Sequence, residues 1–169
     1  MIRFSNVTKV YGKDTVALER LNLEIDPGEF VFLVGPSGSG KSTMVRLMLK
    51  EMEPSAGAIF VNGTRLSSVP RRRIPRLRRD IGCVFQDFKL LPNKTAAENV
   101  AYAMEVTGQR RRLIQTKLPQ ILDLVGLSGK MDKFPEMLSG GEQQRVSIAR
   151  AFVSPPPILV AVEPTGNLD

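Results

Sequence analysis

The sequence predicts an α/β fold in a single domain of 169 residues, which is long enough to bury a core of its own. Three observations predict this fold. Short apolar strands open the chain, a glycine-rich loop stands between an apolar run and a helical pattern, and helical periodicity dominates the later part. The composition, 42% hydrophobic and 24% charged, is ordinary for a globular protein and excludes a disordered or fibrous one.

The first elements form a small β layer. Apolar-rich runs broken by turn residues predict strands at residues 2–4, 16–18 and 21–25. A continuous apolar run at residues 29–34 predicts a further strand that is buried on both faces. Met44, Leu47 and Met48 then recur at helical spacing, and Pro54 and Gly57 end the pattern.

The remaining elements divide the domain into parts. Strands are predicted at residues 58–61, 81–85 and 158–162, and an amphipathic helix around residues 114–125 ends at Gly126. A second helix begins near Ser139. We expect a β layer and core at residues 1–88, a helical subdomain at residues 89–154, and a final strand and loop at residues 155–169.

The glycine-rich loop carries the strongest chemical signal. Residues 35–42 read G-P-S-G-S-G-K-S and match the phosphate-binding pattern G-x-x-x-x-G-K-[ST], between a strand and a helix. Backbone N–H groups of such a loop surround phosphate oxygens at the positive end of the helix. We expect Lys41 to reach the β and γ phosphates of ATP and Ser42 to bind Mg²⁺. The predicted nucleotide contacts are Gly35, Pro36, Ser37, Gly38, Ser39, Gly40, Lys41, Ser42 and Thr43.

A second motif, L-S-G-G-E-Q-Q-R, occupies residues 138–145. Ser139 and Glu142 fit a capping box that starts a helix, while the two glycines after the cap leave the helix N-terminus open to an anion. Both interpretations can hold. The octapeptide resembles the signature of ATP-binding-cassette (ABC) ATPases, so the resemblance implies a RecA-like P-loop NTPase fold in which Ser139, Gly140, Gly141 and Glu142 contact nucleotide.

The resemblance to ABC ATPases implies further roles. Gln86 matches the Q-loop glutamine, which senses the metal and the γ phosphate, and Tyr11 matches the aromatic residue that stacks on adenine. Glu163 matches the Walker B glutamate that polarises the attacking water, and residues 165–169 match the D-loop. Gln86, Lys41 and Glu163 are therefore the implied catalytic residues, with Ser42 and Gln86 at the metal. Two such domains form a head-to-tail homodimer around two ATP molecules.

Within the ABC ATPases, four segments are most similar to the FtsE family of bacterial cell-division ATPases: residues 1–4, 28–40, 81–88 and 164–169. This resemblance implies a partner like the integral-membrane protein FtsX, a place at the cytoplasmic face of the membrane, and regulation of cell-wall hydrolysis. ATPases of lipoprotein release and macrolide export share the T-G-N-L-D ending and are the alternative. We also expect Phe85, Phe88, Leu90 and Leu91 to form part of a groove for a helix of the membrane partner, or else to be ordinary core.

Two features depart from the family pattern. Val162 stands where the Walker B aspartate is expected, and the sequence contains no histidine and stops at Asp169, before the family's switch histidine. We expect the missing C-terminal strands and helices to leave unpaired strand edges in the sheet. An ATP-hydrolysing subunit and a nucleotide-binding remnant without turnover therefore both remain open.

The charge is concentrated in one segment. The chain carries +7, and residues 65–80 contain seven arginines and one acidic residue, so this segment supplies +6. A solvated face, a contact with anionic lipid headgroups and a nucleic-acid contact are the candidates, and the absence of aromatic residues in the segment argues against nucleic acid. No apolar run is long enough to span a membrane, and the start does not resemble a secretory signal. The single cysteine, Cys83, is expected to be a small core residue. Together these features predict a cytoplasmic protein.

Overall fold

The computed structural model describes residues 1–85, 87–153 and 155–162. The chain divides into two compact units, Met1–Arg78 and Arg79–Asp169. The first unit contains an antiparallel sheet, the glycine-rich loop and the helix that follows it, and the second contains a parallel strand pair with three helices. The predicted α/β fold is confirmed.

The sheet of the first unit has four strands in the order β2-β1-β3-β4, and every neighbouring pair is antiparallel. The central pairing joins Ile2 to Val61 and Phe4 to Ile59, and all four side chains are buried. This confirms the predicted β layer. The strands predicted at residues 16–18 and 21–25 merge into one longer strand, β2, whose pairing with β1 has an irregular register. The strands are β1 (Ile2–Tyr11), β2 (Thr15–Ile25), β3 (Ala56–Val61) and β4 (Thr64–Arg65).

Helix α1 (Lys41–Met48) follows the glycine-rich loop directly, as predicted. Its buried residues include Met44, Leu47 and Met48, which gave the helical pattern in the sequence. After the sheet, 3-10 turns at Leu66–Ser68 and Arg71–Arg73 lead into the short helix α2 (Ile74–Arg79). The α1 helix is thus fixed by its apolar face, with the loop at its N-terminus left at the surface.

The prediction of a buried strand at residues 29–34 is wrong. The segment forms no strand, and its large apolar residues are exposed, with Phe30 at 84% and Val34 at 85%. A strand buried on both faces needs hydrogen-bonded neighbours and covering layers. Among the described residues no strand pairs with this segment. Its apolar side chains instead contact each other, as the edge-to-face pair of Phe30 and Phe32 with centroids 5.0 Å apart shows.

The second unit combines a parallel pair of strands with a helical core. Strand β5 (Ile81–Val84) pairs in parallel with β6 (Ile158–Ala161), and Cys83 is half-buried opposite Val160. Helices α3 (Ala96–Val106), α4 (Arg111–Leu124) and α5 (Gly140–Phe152) confirm the predicted helical region, with 3-10 turns at Ser128–Lys130 and Pro135–Met137. Their core includes Val100, Met104, Leu122, Leu127 and Val146, each almost completely buried.

Helix α4 ends as the sequence predicts. Gly126 adopts a φ of 68° and donates its N–H to the carbonyl of Asp123, while the N–H of Leu127 bonds the carbonyl of Leu122. These bonds satisfy carbonyls that the helix end leaves free. No helix in the described ranges has the length and apolar character needed to cross a bilayer.

Candidate nucleotide-binding site

The N-terminus of α1 is open. Gly40 occupies the N-cap position, so no side chain caps the helix, and its first turn contains no acidic residue. The first N–H groups of an α-helix have no acceptor within the helix, and together they carry partial positive charge. Residues 35–39 and Ser42 are exposed, while Thr43 is buried. The loop and first turn therefore offer several unused N–H donors to an anion.

Gly40 is the position where the loop most clearly needs glycine. Its φ is 92°, and a Cβ placed there would lie 2.5 Å from the backbone oxygen of Ala17 and 2.8 Å from Leu18 Cδ2. A side chain would therefore be strained by the backbone conformation and would also collide with the neighbouring strand. The close approach to β2 fixes where the helix begins, and with it the direction of its N–H groups.

Lys41 folds back over the loop. Its ammonium group donates to the carbonyl of Gly35 at 2.7 Å and to the carbonyl of Pro36 at 2.9 Å. Ser39 N–H closes the same turn on the Pro36 carbonyl at 3.2 Å. The only side-chain cation of the loop thus lies across its opening, where phosphate oxygens could replace the two carbonyls as acceptors.

Tyr11 lies at the end of β1 and is held by its hydroxyl. The hydroxyl oxygen is 3.2 Å from Thr43 Oγ1 and donates to Met52 Sδ at 3.2 Å. Lys9 Nζ lies 5.5 Å from the ring centroid and also donates to the Glu53 carbonyl. The tyrosine is half-buried and is attached to the first turn of α1 through Thr43. The structure therefore brings the predicted adenine-stacking residue to the first turn of α1, which follows the predicted phosphate-binding loop.

The N-terminus of α5 is capped by its own side chains. Ser139 Oγ accepts from the N–H of Glu142 at 3.3 Å, and the N–H of Ser139 donates to Glu142 Oε2 at 2.8 Å. This is the predicted capping box. Gly140 is exposed and Gly141 is half-buried. Gln143 Nε2 also donates to the Leu138 carbonyl at 3.1 Å.

Glu142 is held in its charged form. The hydrogen bond from the Ser139 N–H is the largest influence on the pKa of this carboxyl and lowers it. Desolvation opposes this bond less strongly, and the nearby charge of Lys130 lowers the pKa further. The Lys130 ammonium lies 3.5 Å from Glu142 Oε1. The first turn of α5 thus carries a fixed negative charge where α1 carries none.

Helix α5 also supports the loop that follows residue 86. Arg150 Nη1 donates to the Lys89 carbonyl at 2.7 Å, and burial lowers the pKa of the Arg150 guanidinium. Phe88 and Lys89 both adopt positive φ, at 55° and 49°. Buried Asn99 holds the next segment through bonds to the N–H and carbonyl of Leu91. The residues predicted to line a partner groove, Phe85, Phe88, Leu90 and Leu91, are all half-buried.

As far as the structure describes it, up to Val162, the end of β6 carries no metal ligand. Val162 is half-buried, and its N–H donates to the Val84 carbonyl at 2.9 Å, which extends the parallel pairing by one bond. Its side chain has no oxygen to offer Mg²⁺ or the waters around it. Gln86, Glu163 and residues 165–169 lie outside the described residues. No group of three or more His, Cys, Asp or Glu side chains within the described ranges could hold a metal ion.

Sequence reasoning missed three residues that support these sites. Lys130 forms an ion pair with Glu142 from twelve positions away, and Arg150 reaches Lys89 across 61 positions. No local pattern reveals either contact, since both depend on how the helices pack. Lys9 could have been found, because residues two apart on a strand lie on the same face and Lys9 precedes Tyr11 by two.

Residues 18–166 match the ABC transporter family. The whole chain is 54% identical to the cell division ATP-binding protein FtsE of Mycobacterium tuberculosis (strain H37Rv), 50% to that of Bacillus subtilis (strain 168) and 46% to that of Escherichia coli (strain K12). It covers 74%, 74% and 76% of these proteins respectively.

Solved structures agree with the family match. The cassette MJ0796, described as a dimer in a post-hydrolysis state bound to ADP and Pi, superposes with a TM-score of 0.90 at 38% identity. A second dimeric structure, of MJ0796 as a bacterial ABC transporter cassette, gives a TM-score of 0.91 at 39% identity. Both comparisons cover 100% of this chain and 76% of the other.

Proposed function

Since the chain belongs to the ABC transporter family and, within it, to the FtsE cell division ATP-binding proteins, we propose that it binds ATP at the N-terminus of α1. The family consists of ATP hydrolases. The observation that carries the proposal is the uncapped first turn of α1 with the Lys41 ammonium beside it. Phosphates would take the free N–H groups and the lysine, and adenine would stack on Tyr11.

The predicted contacts divide into two sets. Residues 35–43 and Tyr11 would bind the nucleotide within one chain, while Ser139, Gly140, Gly141 and Glu142 would bind it from a second copy. This requires a head-to-tail homodimer, in line with the dimeric cassettes of the same fold. We also propose that the domain has three parts: a β layer and core at residues 1–88, a helical subdomain at residues 89–154, and a final strand and loop at residues 155–169.

Mg²⁺ fits the site through oxygen ligands. The Ser42 hydroxyl is exposed in the first turn of α1, next to the predicted phosphate position. Mg²⁺ binds to few protein oxygens and keeps phosphate and water ligands, so one hydroxyl is a reasonable contribution. When bound, the ion would neutralise charge on the phosphates. Gln86 is the second predicted ligand, and Val162 supplies none.

The membrane partner is proposed from the family. A protein like FtsX would bind the segment that follows Gln86, and the complex would couple ATP binding and hydrolysis to cell-wall hydrolysis during division. The chain would then work at the cytoplasmic face of the membrane, with residues 65–79 near anionic lipid. Half-buried Phe88 and Leu91 give the groove apolar surface that a helix could cover.

The groove can be tested by binding. Phe88→Ala and Leu91→Ala should each weaken co-purification with the membrane partner, with exposed Leu124→Ala as a matched control on α4. Unchanged recovery of the partner with both groove variants would show that these residues are ordinary packing.

A second candidate function is nucleotide binding without turnover, and Val162 is the observation that favours it. Losing a hydrogen bond to a charged group costs about 1.5–3 kcal/mol. If that loss falls only on the transition state, hydrolysis slows by about ten- to a hundredfold.

Steady-state ATPase measurements separate the two functions. We expect slow or absent hydrolysis by the natural sequence and faster hydrolysis by Val162→Asp, with nucleotide affinity similar in both. Val160→Asp is the matched control, because it adds the same charge two residues before the predicted metal-binding position. Turnover by the natural sequence equal to that of Val162→Asp would rule out the binding-only function.

A further inference from the structure

The arginine-rich segment before β5 is a surface that the nucleotide site does not use. Residues 65–80 supply +6 of the chain's +7, so the other 153 residues together carry only +1. Arg71, Arg72, Arg73 and Arg76 are all exposed. None of the four makes an ion pair within the described part of the chain, whose ion pairs involve other residues.

The segment is attached to the rest of its unit by two other cations. The buried ammonium of Lys50 donates to the carbonyls of Leu66 and Val69, and Arg78 Nε donates to the Leu49 carbonyl at 2.9 Å. Leu49 is the C-cap of α1, where free carbonyls carry partial negative charge. Lys50 and Arg78 therefore have structural partners, and they hold the segment against the C-terminal end of α1.

Four of the other six arginines, Arg71, Arg72, Arg73 and Arg76, are exposed close together along this attached segment. Arg72 and Arg76 are four positions apart, and Arg73 and Arg76 are three apart, so their side chains are neighbours on a helical surface. Ile74 and Leu77 are half-buried and take the opposite role of packing inward. The outcome is a group of exposed guanidinium donors that have no acceptor among the residues that the structure describes.

We propose that Arg71, Arg72, Arg73 and Arg76 form a lipid-contact surface that binds the phosphate headgroups of an anionic membrane. Guanidinium groups bind phosphate oxygens in a bidentate way, and each arginine close to an anionic bilayer adds to the attraction. The inference deepens the membrane association of the proposed function by naming the residues and the chemistry of the contact.

Nucleic acid fits this surface less well than a membrane does. Residues 65–80 contain no aromatic residue for base stacking and no Asn or Gln for reading base edges. The six-residue α2 is also too short to lie along a major groove as a recognition helix. Binding to a membrane requires neither base stacking nor base readout, because the membrane presents phosphates spread over a surface.

Co-sedimentation with vesicles tests the proposal, using phosphatidylglycerol–phosphatidylcholine vesicles beside phosphatidylcholine alone. The full chain should bind the anionic vesicles, and the binding should weaken as salt rises from about 50 to about 300 mM. The triple variant Arg71→Ser, Arg72→Ser, Arg73→Ser should lower the partition coefficient by about a hundredfold. The double variant Arg72→Glu, Arg76→Glu should also lose binding, and it provides a second variant if the triple variant fails to fold.

The matched control is another exposed run of three arginines. Arg110→Ser, Arg111→Ser, Arg112→Ser removes the same charge at the start of α4 and should leave vesicle binding within about twofold of the natural chain. Equal loss in both triple variants, absence of binding to anionic vesicles, or tighter binding to a DNA duplex than to vesicles would overturn the lipid-contact surface. Nucleotide affinity measured on the same samples reports the proposed function separately, because these arginines lie outside the nucleotide site.

Discussion

Helices α1 and α5 both begin at a glycine-containing motif, but their N-termini differ. The first turn of α1 has no capping side chain and no acidic residue, and Lys41 lies over the preceding loop. The first turn of α5 is closed by Ser139 and carries the charged Glu142. An open helix end attracts phosphate, whereas a capped end with a carboxylate has one of its N–H donors already bonded and attracts anions less.

The difference between the two helix ends predicts different roles for the motifs at α1 and α5. In the proposed site, the α1 end would bind phosphate by itself, while the α5 end would need a phosphate that is already held in place by another chain. This order of events agrees with a site that is completed only by dimerisation. Substitutions at Lys41, Gly40, Ser139 and Glu142 probe the two helix ends separately, and their expected effects decrease in that order.

Removing the lysine should have the largest effect. Lys41→Ala deletes the only side-chain cation of the loop, and hydrogen bonds to charged groups contribute about 1.5–3 kcal/mol, so ADP affinity should fall about ten- to a hundredfold. Titration calorimetry measures this affinity. Exposed Lys117→Ala, on α4, removes the same charge elsewhere and should leave affinity unchanged. Equal affinity of Lys41→Ala and the natural chain would mean that α1 is not the phosphate site.

A methyl group at the start of α1 should destabilise the first unit. Gly40→Ala meets the Ala17 carbonyl at 2.5 Å and also sits at positive φ. Gly12→Ala has a φ of 60° with no atom within 4 Å of the added carbon, so it isolates the conformational cost, which is about 1 kcal/mol. We expect Gly40→Ala to lose about 1–3 kcal/mol more than Gly12→Ala in urea unfolding, because of the collision. Similar losses would contradict the close approach of α1 to β2.

Removing the α5 cap should have a moderate effect with two parts. Ser139→Ala should lower stability by about 1 kcal/mol, as should Thr95→Ala, which removes the same type of capping box from α3. Only Ser139→Ala should also lower ATPase activity, measured in the Val162→Asp background, because α5 is proposed to contact nucleotide and α3 is not. Equal ATPase activity of the two variants would show that the α5 motif only caps its helix and does not contact nucleotide.

The smallest effect is a pH dependence of the α5 cap. The folded pKa of Glu142 is below its ordinary value of 4.5, so its stabilising contribution is present above that value and is lost as the pH falls through the folded pKa. The natural chain should therefore be more stable than Glu142→Gln near neutral pH, and the difference should shrink at about pH 3. Thermal melts at both pH values measure it. Glu98→Gln, in the α3 capping box, should behave in the same way, because the Thr95 N–H bond lowers its pKa.

Local patterns predicted most of the fold and the site. Short spacings within the sequence determine where helices α1 and α5 start, at residues 41 and 140, and where α4 ends, at Gly126. The strands of the β layer depend on similar short patterns. The error at residues 29–34 has a different origin, since an apolar run becomes a strand only when partners are present. Contacts such as Lys130 with Glu142 come from tertiary packing and have no signal in the sequence.

The contrast between the two helix ends requires that phosphate binds first at α1 and not at α5. Amide ¹⁵N–¹H spectra of the natural chain, recorded while ADP is added, report both ends in one experiment. We expect the largest shifts at residues 38–43, with residues 139–142 almost unchanged at protein concentrations too low for dimerisation. Shifts at residues 139–142 that equal or exceed those at residues 38–43 under the same conditions would show that the α5 end binds phosphate without a partner chain, contrary to this order of binding.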